Sequence, residues 1–143
     1  MFQRILFLCT GNICRSPTAE YLLKARAPQL TVSSAGTHAM VGWGAEPTSL
    51  AVAAEYGVDL SPHRAQQATQ PLLAAQDLIL ALDAGHRDWV TRQYPMLRGR
   101  VHLLTRWQQG EDVEDPYQRE RAVFESVFEH IERGVEDWLK RLR

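Results

Sequence analysis

A chain of 143 residues with 45% hydrophobic and 23% charged residues is long enough for one domain with a substantial core, and its make-up is that of an ordinary globular protein. A formal net charge of −1 gives no reason to expect nucleic acid or an anionic membrane as a bulk electrostatic partner. The apolar run after Met1-Phe2-Gln3-Arg4 is too short for membrane insertion and lacks the small-residue cleavage site of a secretory signal, so the protein reads as cytoplasmic.

The unbroken apolar make-up of Ile5-Leu6-Phe7-Leu8 predicts a buried parallel strand over about residues 3–9. Ser16 reads as an N-cap and Pro17 as the first helical position, with Ala19, Leu22, Leu23 and Ala25 at helical spacing, so a helix is expected over about 16–27, stopped by Pro28. Leu30-Thr31-Val32-Ser33-Ser34 predicts a short second strand ending in Ala35-Gly36. The next stretch, with Gly42, Gly44 and Pro47, reads as a functional loop rather than a linker. Helix signals resume at Pro47-Thr48 and run to Gly57, and a short helix is expected within 68–75 around Pro71. Leu78-Ile79-Leu80-Ala81-Leu82 is a third strand stopped by Asp83, 84–94 is helical up to Pro95, and Val101-His102-Leu103-Leu104 is a fourth strand. Phe124, Val127, Phe128, Ile131, Val135, Trp138, Leu139 and Leu142 trace one face of a terminal helix. Apolar strands alternating with helices predict an α/β fold: a single-domain three-layer α/β/α arrangement over 1–143, with a central four-stranded parallel sheet and a phosphate-binding loop after the first strand.

That loop, Cys9-Thr10-Gly11-Asn12-Ile13-Cys14-Arg15, joins a strand's carboxyl end to a helix's amino end, where backbone N–H groups and the helix dipole favour an anion. No Gly-Lys-Ser/Thr follows Gly11, so it is not the glycine-rich nucleotide loop. Cys9 sits at its mouth, and Arg15 follows in a Cys-x5-Arg spacing. Loop amides, helix terminus and guanidinium together favour a thiolate, the nucleophilic form. Arg15 can fork two hydrogen bonds onto two oxygens of a phosphate. As a bare surface charge it would instead oppose the dipole at a helix start, which a bound anion relieves. Both cysteines of the chain, Cys9 and Cys14, lie in this loop. A structural disulfide closing so small a ring stabilises little, and the spacing offers too few ligands for zinc. A nucleophile with a neighbouring thiol is the better account, in which Cys14 traps an oxidised Cys9 as a disulfide.

At these residues the chain resembles the low-molecular-weight protein tyrosine phosphatases. Their signature, V/L-C-x-G-N-x-C-R-S-P-x-A-E, is matched without a gap by Leu8 through Glu20. Ser33-Ser34-Ala35-Gly36-Thr37 resembles the family's second conserved turn, and Asp115-Pro116-Tyr117 its acid loop. The segment Gly36-Thr37-His38-Ala39-Met40-Val41-Gly42-Trp43-Gly44-Ala45-Glu46-Pro47 is similar to the bacterial branch associated with exopolysaccharide production.

The resemblance implies a phosphotyrosine phosphatase working through a cysteinyl-phosphate intermediate, with no metal and no cofactor. Cys9 is then the nucleophile, Arg15 the phosphate clamp and Asp115 the general acid; Thr10, Gly11, Asn12, Ile13, Cys14 and Ser16 complete the phosphate loop. Asn12 holds the loop and Ser16 donates to the thiolate, roles that stand beside plain turn and cap readings. Asp115 alone reads as turn chemistry, but protonating a phenolate whose reference pKa is ~10 removes a large barrier. Asp112 and Glu114 are rivals on sequence grounds, and Asp83 reads as a helix cap that also stands near the site. Tyr117 is a candidate wall for an aromatic ring. Met40 and Trp43 are candidates for the facing wall, with Trp43 equally readable as a partly exposed loop aromatic. Ser34 bonds to the cradle by the same analogy, or merely ends a strand. His63 reads as a structural histidine, and Gln66 stands where relatives often carry arginine.

Arsenate reductases resemble this loop but relay oxidation through later cysteines, and none follows Cys14. Arginine phosphatases carry a small polar residue where Ile13 stands, and a branched apolar residue there favours an aromatic ring. A non-catalytic phosphate-binding module has no reason to keep nucleophile, arginine and acid together. The implied partner is a phosphotyrosine protein, a bacterial tyrosine autokinase of exopolysaccharide or capsule production, with no nucleic acid and no membrane insertion. A monomer or weak dimer is expected.

Overall fold

Apolar on both sides, Ile5-Leu6-Phe7-Leu8 can be satisfied only between two helical layers, and this is where the chain puts it. A computed structural model describes residues 2–142. Its centre is strand β1 (Arg4–Cys9), flanked by β2 (Thr31–Gly36) on one side and by β3 (Leu78–Ala81) then β4 (Val101–Leu103) on the other, all parallel in the order β2-β1-β3-β4. Side chains alternate across β1. Ile5, Phe7 and Cys9 pack with α1 (Arg15–Arg26), α2 (Pro47–Glu55) and α5 (Arg121–Leu142), while Leu6 and Leu8 pack with α3 (Gln70–Ala74) and α4 (Ala84–Gln93). The α/β/α layering and four-stranded parallel sheet expected from the sequence are present. Among the described residues no helix is long and apolar enough to cross a membrane.

The chain leaves β1 toward β2 on one side and returns to β3 on the other. The carboxyl end of β1 is therefore a topological switch point, where two connections part and open a crevice. Cys9 ends that strand, paired with Gly36 of β2. Gly36 is required there, because a Cβ would run into the Thr10 carbonyl as the loop crosses the end of β2.

Local differences from the sequence-based expectation have physical reasons. Ser16 does not cap α1. The helix starts at Arg15, Cys14 holds the N-cap position without a side-chain cap bond, and the Thr18 hydroxyl closes the first turn onto the Cys14 carbonyl (2.9 Å). Ser16 is thereby released to face Cys9. Strand β2 ends in Ala35 and Gly36 as expected, and these pair with Leu8 and Cys9. The terminal helix buries the expected stripe from Phe124 to Leu139, with Leu142 partly buried against the same core, and Trp138 donates its indole N–H to the Leu104 carbonyl (3.0 Å).

Candidate active site

The loop between β1 and α1 is held by its carbonyls. Cys9 O accepts from Thr37 N (2.9 Å), Thr10 O from His38 N (3.0 Å), Gly11 O from Met40 N (3.0 Å), Asn12 O from His63 Nε2 (2.6 Å) and Ile13 O from Glu46 N (2.8 Å). Every bond comes from the loop after β2 or from the 58–69 segment outside the cradle. In a trans peptide the N–H points opposite to the carbonyl of the same unit, and the chain has no cis bond among its described residues. The N–H groups of Thr10 through Cys14 are therefore turned inward. Asn12 makes the turn at φ 61°, in the left-handed region that Asn tolerates better than most residues. The result is an anion cradle of main-chain donors at the amino end of a 12-residue helix.

Behind it a polar network fixes which way each proton points. Asn12 Nδ2 donates to Ser16 Oγ (2.7 Å) and Ser34 Oγ (2.9 Å), and Asn12 Oδ1 accepts from Gln66 N (2.9 Å). The Ser34 hydroxyl donates to Glu20 Oε1 (2.5 Å). Ser16, already accepting from Asn12, has its hydroxyl proton left for Cys9 Sγ at 2.9 Å. Asn12 and Ser16 are fully buried and do not line the cavity; they act from behind it. His63 is buried, its pKa lowered by that burial against the opposing Asn12 carbonyl and Glu20, which fits the structural reading. The Gln66 side chain also donates to the Ser34 carbonyl (2.9 Å), tying loop to strand.

Arg15 is buried, and its guanidinium is committed on one side. Nη1 donates to Asp83 Oδ2 and to the Val113 carbonyl, both at 2.9 Å. Nη2 approaches His86 Nε2 at 3.5 Å and Asp115 Oδ2 at 3.8 Å. Nε has no partner among the described residues, so the Nε/Nη2 edge is the one that can fork onto an oxyanion. Asp83 does both jobs considered for it. Its Oδ1 caps α4 by accepting from His86 N (3.0 Å), while Oδ2 anchors Arg15. Burial works against ionisation of Asp83, yet the His86 ring, Arg15 and the His86 N–H hold its carboxyl below the ordinary carboxylate value.

His86 was not singled out by sequence. It is buried, with Nε2 2.9 Å from Thr10 Oγ1 and Nδ1 3.2 Å from Asp83 Oδ1. A bare Nδ1 lone pair against a carboxylate would be repulsive, so Nδ1 carries the proton and Nε2 accepts from Thr10 and Arg15. Burial and the Arg15 guanidinium push its pKa from 6.5 to about 4, against the pull of Asp83. The ring is neutral at pH 7. Because the unfolded chain takes up a proton near 6.5 and the folded one only near 4, folding stability drains as pH falls through that interval. His86→Gln is expected to lose on the order of 1–2 kcal/mol less stability than the wild type between pH 7 and pH 4.5. Urea unfolding at the two pH values checks it, and equal losses would refute it.

A cavity of about 190 Å³ opens over the cradle, lined by Cys9, Thr10, Gly11, Ile13, Cys14, Arg15, Met40, Asp115 and Tyr117, together with His38, which sequence reasoning missed. Asp115 is half exposed and its Oδ1 accepts from Tyr117 N (3.1 Å), an Asx turn that sets the loop. The sequence rivals are engaged elsewhere: Asp112 Oδ1 accepts from Ala84 N (2.9 Å) and Glu114 pairs with Arg119 (2.7 Å). Met40 lines this cavity; Trp43 lines only an adjoining groove. Neither cysteine is in a disulfide, and burial, then the neighbouring Cys9, push the Cys14 thiol up to about 12, so it stays protonated. Among the described residues no group of three or more His, Cys, Asp and Glu side chains gathers to hold a metal. The arrangement offers a buried sulfur against a set of anion donors with one carboxyl at the mouth, which suits attack on a bound oxyanion and proton transfer to its leaving group.

The family model described as low molecular weight phosphotyrosine protein phosphatase matches residues 4–143. The probable low molecular weight protein-tyrosine-phosphatase AmsI of Erwinia amylovora is 43% identical over 142 residues, spanning 99% of each chain. The tyrosine phosphatase Wzb of Escherichia coli K30, solved in complex with sulphate, superposes with a TM-score of 0.97 at 35% identity over 100% of both chains. The YwlE arginine phosphatase of Geobacillus stearothermophilus superposes with a TM-score of 0.92 at 30% identity, covering 98% of this chain and 92% of that one.

Proposed function

Because the chain belongs to the low molecular weight phosphotyrosine protein phosphatases, a cysteine-dependent family of hydrolases, we propose that its residues carry out a two-step hydrolysis of phosphotyrosine. One observation carries this reading: the carbonyls of Cys9 through Ile13 are all bonded outward, leaving inward N–H groups around the Cys9 sulfur, with the open edge of Arg15 beside them. The Cys9 thiolate attacks phosphorus in line, and the tyrosyl oxygen–phosphorus bond breaks. The Asp115 carboxylic acid gives its proton to that oxygen. The phosphoryl oxygens rest on the loop amides and on Arg15, donors fixed before the charge develops. In the second step Asp115 carboxylate takes a proton from water as the water attacks the cysteinyl phosphate. The sulfur–phosphorus bond breaks, and Ser16 donates its hydroxyl hydrogen to the departing thiolate. Main-chain N–H groups and Arg15 supply the positive potential that a metal supplies in other phosphoryl transfers, so no metal or cofactor takes part.

Ile13 supports tyrosine over arginine. It is a branched apolar side chain in the cavity wall. The substrate in this reading is a phosphotyrosine protein, and a bacterial tyrosine autokinase of exopolysaccharide production is the partner implied by the 36–47 segment. The protein is then cytoplasmic, one domain over 1–143, and monomeric or weakly dimeric.

The test is hydrolysis of phosphotyrosine and phosphoarginine peptides side by side in EDTA. Preference for phosphotyrosine by at least about tenfold in kcat/KM is expected. Preference for phosphoarginine would move the activity to the other branch of the scaffold.

A further inference from the structure

Beside the catalytic cavity lies a larger groove of about 550 Å³, whose walls include Ile13, Trp43, Ala45, Pro47, Tyr117 and Phe124. Ile13 and Tyr117 belong to both, so the two depressions share a wall. The reaction proposed above makes no use of the groove. Its lining is mostly apolar; the polar members are Thr48 and Gln118 and the charged ones Glu46 and Arg119, and both charges are engaged: Glu46 accepts from Thr48 N (2.6 Å) and Arg119 donates to Glu114 (2.7 Å). Two of its rings are left to water, Trp43 at 55% exposure and Tyr117 at 39%, and Val41 beside them is 66% exposed. An exposed apolar surface continuous with a catalytic pocket marks where something else is covered during the reaction.

What covers it is constrained by the spacing. In an extended peptide, side chains point the same way at every second residue, about 7 Å apart. With a phosphotyrosine seated on the cradle, the side chain two positions away falls across the shared Ile13–Tyr117 wall. We propose that this groove is a specificity subsite for an apolar or aromatic side chain two residues from the phosphotyrosine, with Trp43 its exposed wall. The inference rests on the phosphotyrosine reading and sharpens it: the preferred substrate is an extended phosphotyrosine segment with an apolar residue at −2 or +2. A charged residue there gains less than an apolar one, since Glu46 already holds the Thr48 N–H and Arg119 is already paired with Glu114.

The experiment uses phosphotyrosine peptides with a glycine and serine background carrying Phe, Leu, Asp or Gly at −2 or at +2. The readout is the ratio of kcat/KM between Phe and Gly peptides, taken within each form of the protein, so that a general loss of activity cancels. For the wild type, Phe or Leu at one of the two positions is expected to raise kcat/KM about tenfold over Gly. Trp43→Ala is expected to bring that ratio close to one, and Trp43→Phe, which keeps a ring, to retain most of it. Turnover of p-nitrophenyl phosphate by the wild type reports the reaction separately; its absence would defeat the proposed function instead. Turnover with no discrimination at either position, a preference for Asp, or a Phe preference that survives Trp43→Ala would each overturn the subsite.

Discussion

Cys9→Ser is expected to lower kcat by at least about a thousandfold while phosphate still binds. Cys9 is nearly fully buried at the end of β1, and its sulfur touches the protein through Ser16 Oγ at 2.9 Å. The oxyanion donors are main-chain N–H groups fixed by carbonyl bonds to Thr37, His38, Met40, His63 and Glu46, and none of these passes through the sulfur. Exchanging sulfur for oxygen thus leaves the cradle intact. It removes the sulfur nucleophile, because a serine hydroxyl with no base in contact is not deprotonated near neutral pH, and Ser16 is itself a hydroxyl. It also replaces a good leaving group in the second step with a poor one. Turnover of p-nitrophenyl phosphate and competitive inhibition by phosphate separate the two properties. Retained turnover would show that the nucleophile is another group; lost phosphate binding would show that the sulfur helps shape the cradle.

How much of this site can be read from sequence depends on how local the signal is. The strand–loop–helix unit is legible because everything that makes it is contiguous: an apolar strand, a turn with Gly11 and Asn12, and a helix opening on Ser16-Pro17. Reading Ser16 as the cap is wrong because sequence shows a good N-cap but not the Asn12 amide that takes one of its lone pairs, nor the Thr18 hydroxyl that closes the turn without it. The anchoring of Arg15 is illegible for a different reason. Its partners Asp83, His86 and Val113 stand 68 or more positions away and reach it only because β3 lies beside β1. Asp83 carries a local signal, the cap of α4, and that signal conceals the second oxygen's role. His86 carries none, since one histidine inside a short helix looks like any partly buried one. Glu20 ends the matched signature yet gives no hint from spacing that it accepts a hydrogen bond from Ser34. The groove is assembled from Ile13, from residues 43–48 and from residues 117–124, so no single stretch announces it.

The choice among Asp112, Glu114 and Asp115 shows the same limit, and it leads to the second large effect. Three carboxylates within four positions look alike in sequence. In the fold only Asp115 lines the cavity, while Asp112 holds the Ala84 N–H and Glu114 pairs with Arg119. Asp115→Asn is expected to lower kcat on a phosphotyrosine peptide by about a hundredfold or more, the usual reach of a positioned acid–base group. Asp112→Asn and Glu114→Gln are expected to stay within a few-fold of the wild type, since neither carboxylate lines the cavity and the exposed Glu114–Arg119 pair contributes little. Steady-state loss alone does not separate the two steps, because the same carboxyl serves as acid in the first and as base in the second. The leaving group does. A tyrosyl oxygen, with a reference pKa of ~10, needs a proton as it departs, whereas p-nitrophenolate is far more stable as an anion. With p-nitrophenyl phosphate, Asp115→Asn should still transfer phosphate to Cys9 and then stall. Rapid mixing would show a burst of one nitrophenolate per active site followed by slow turnover, with no burst from the phosphotyrosine peptide. A burst from both substrates would remove the acid role and leave only the base. Absence of a burst from either would mean that Asp115 acts on the attack itself, through its 3.8 Å approach to Arg15 rather than through a proton.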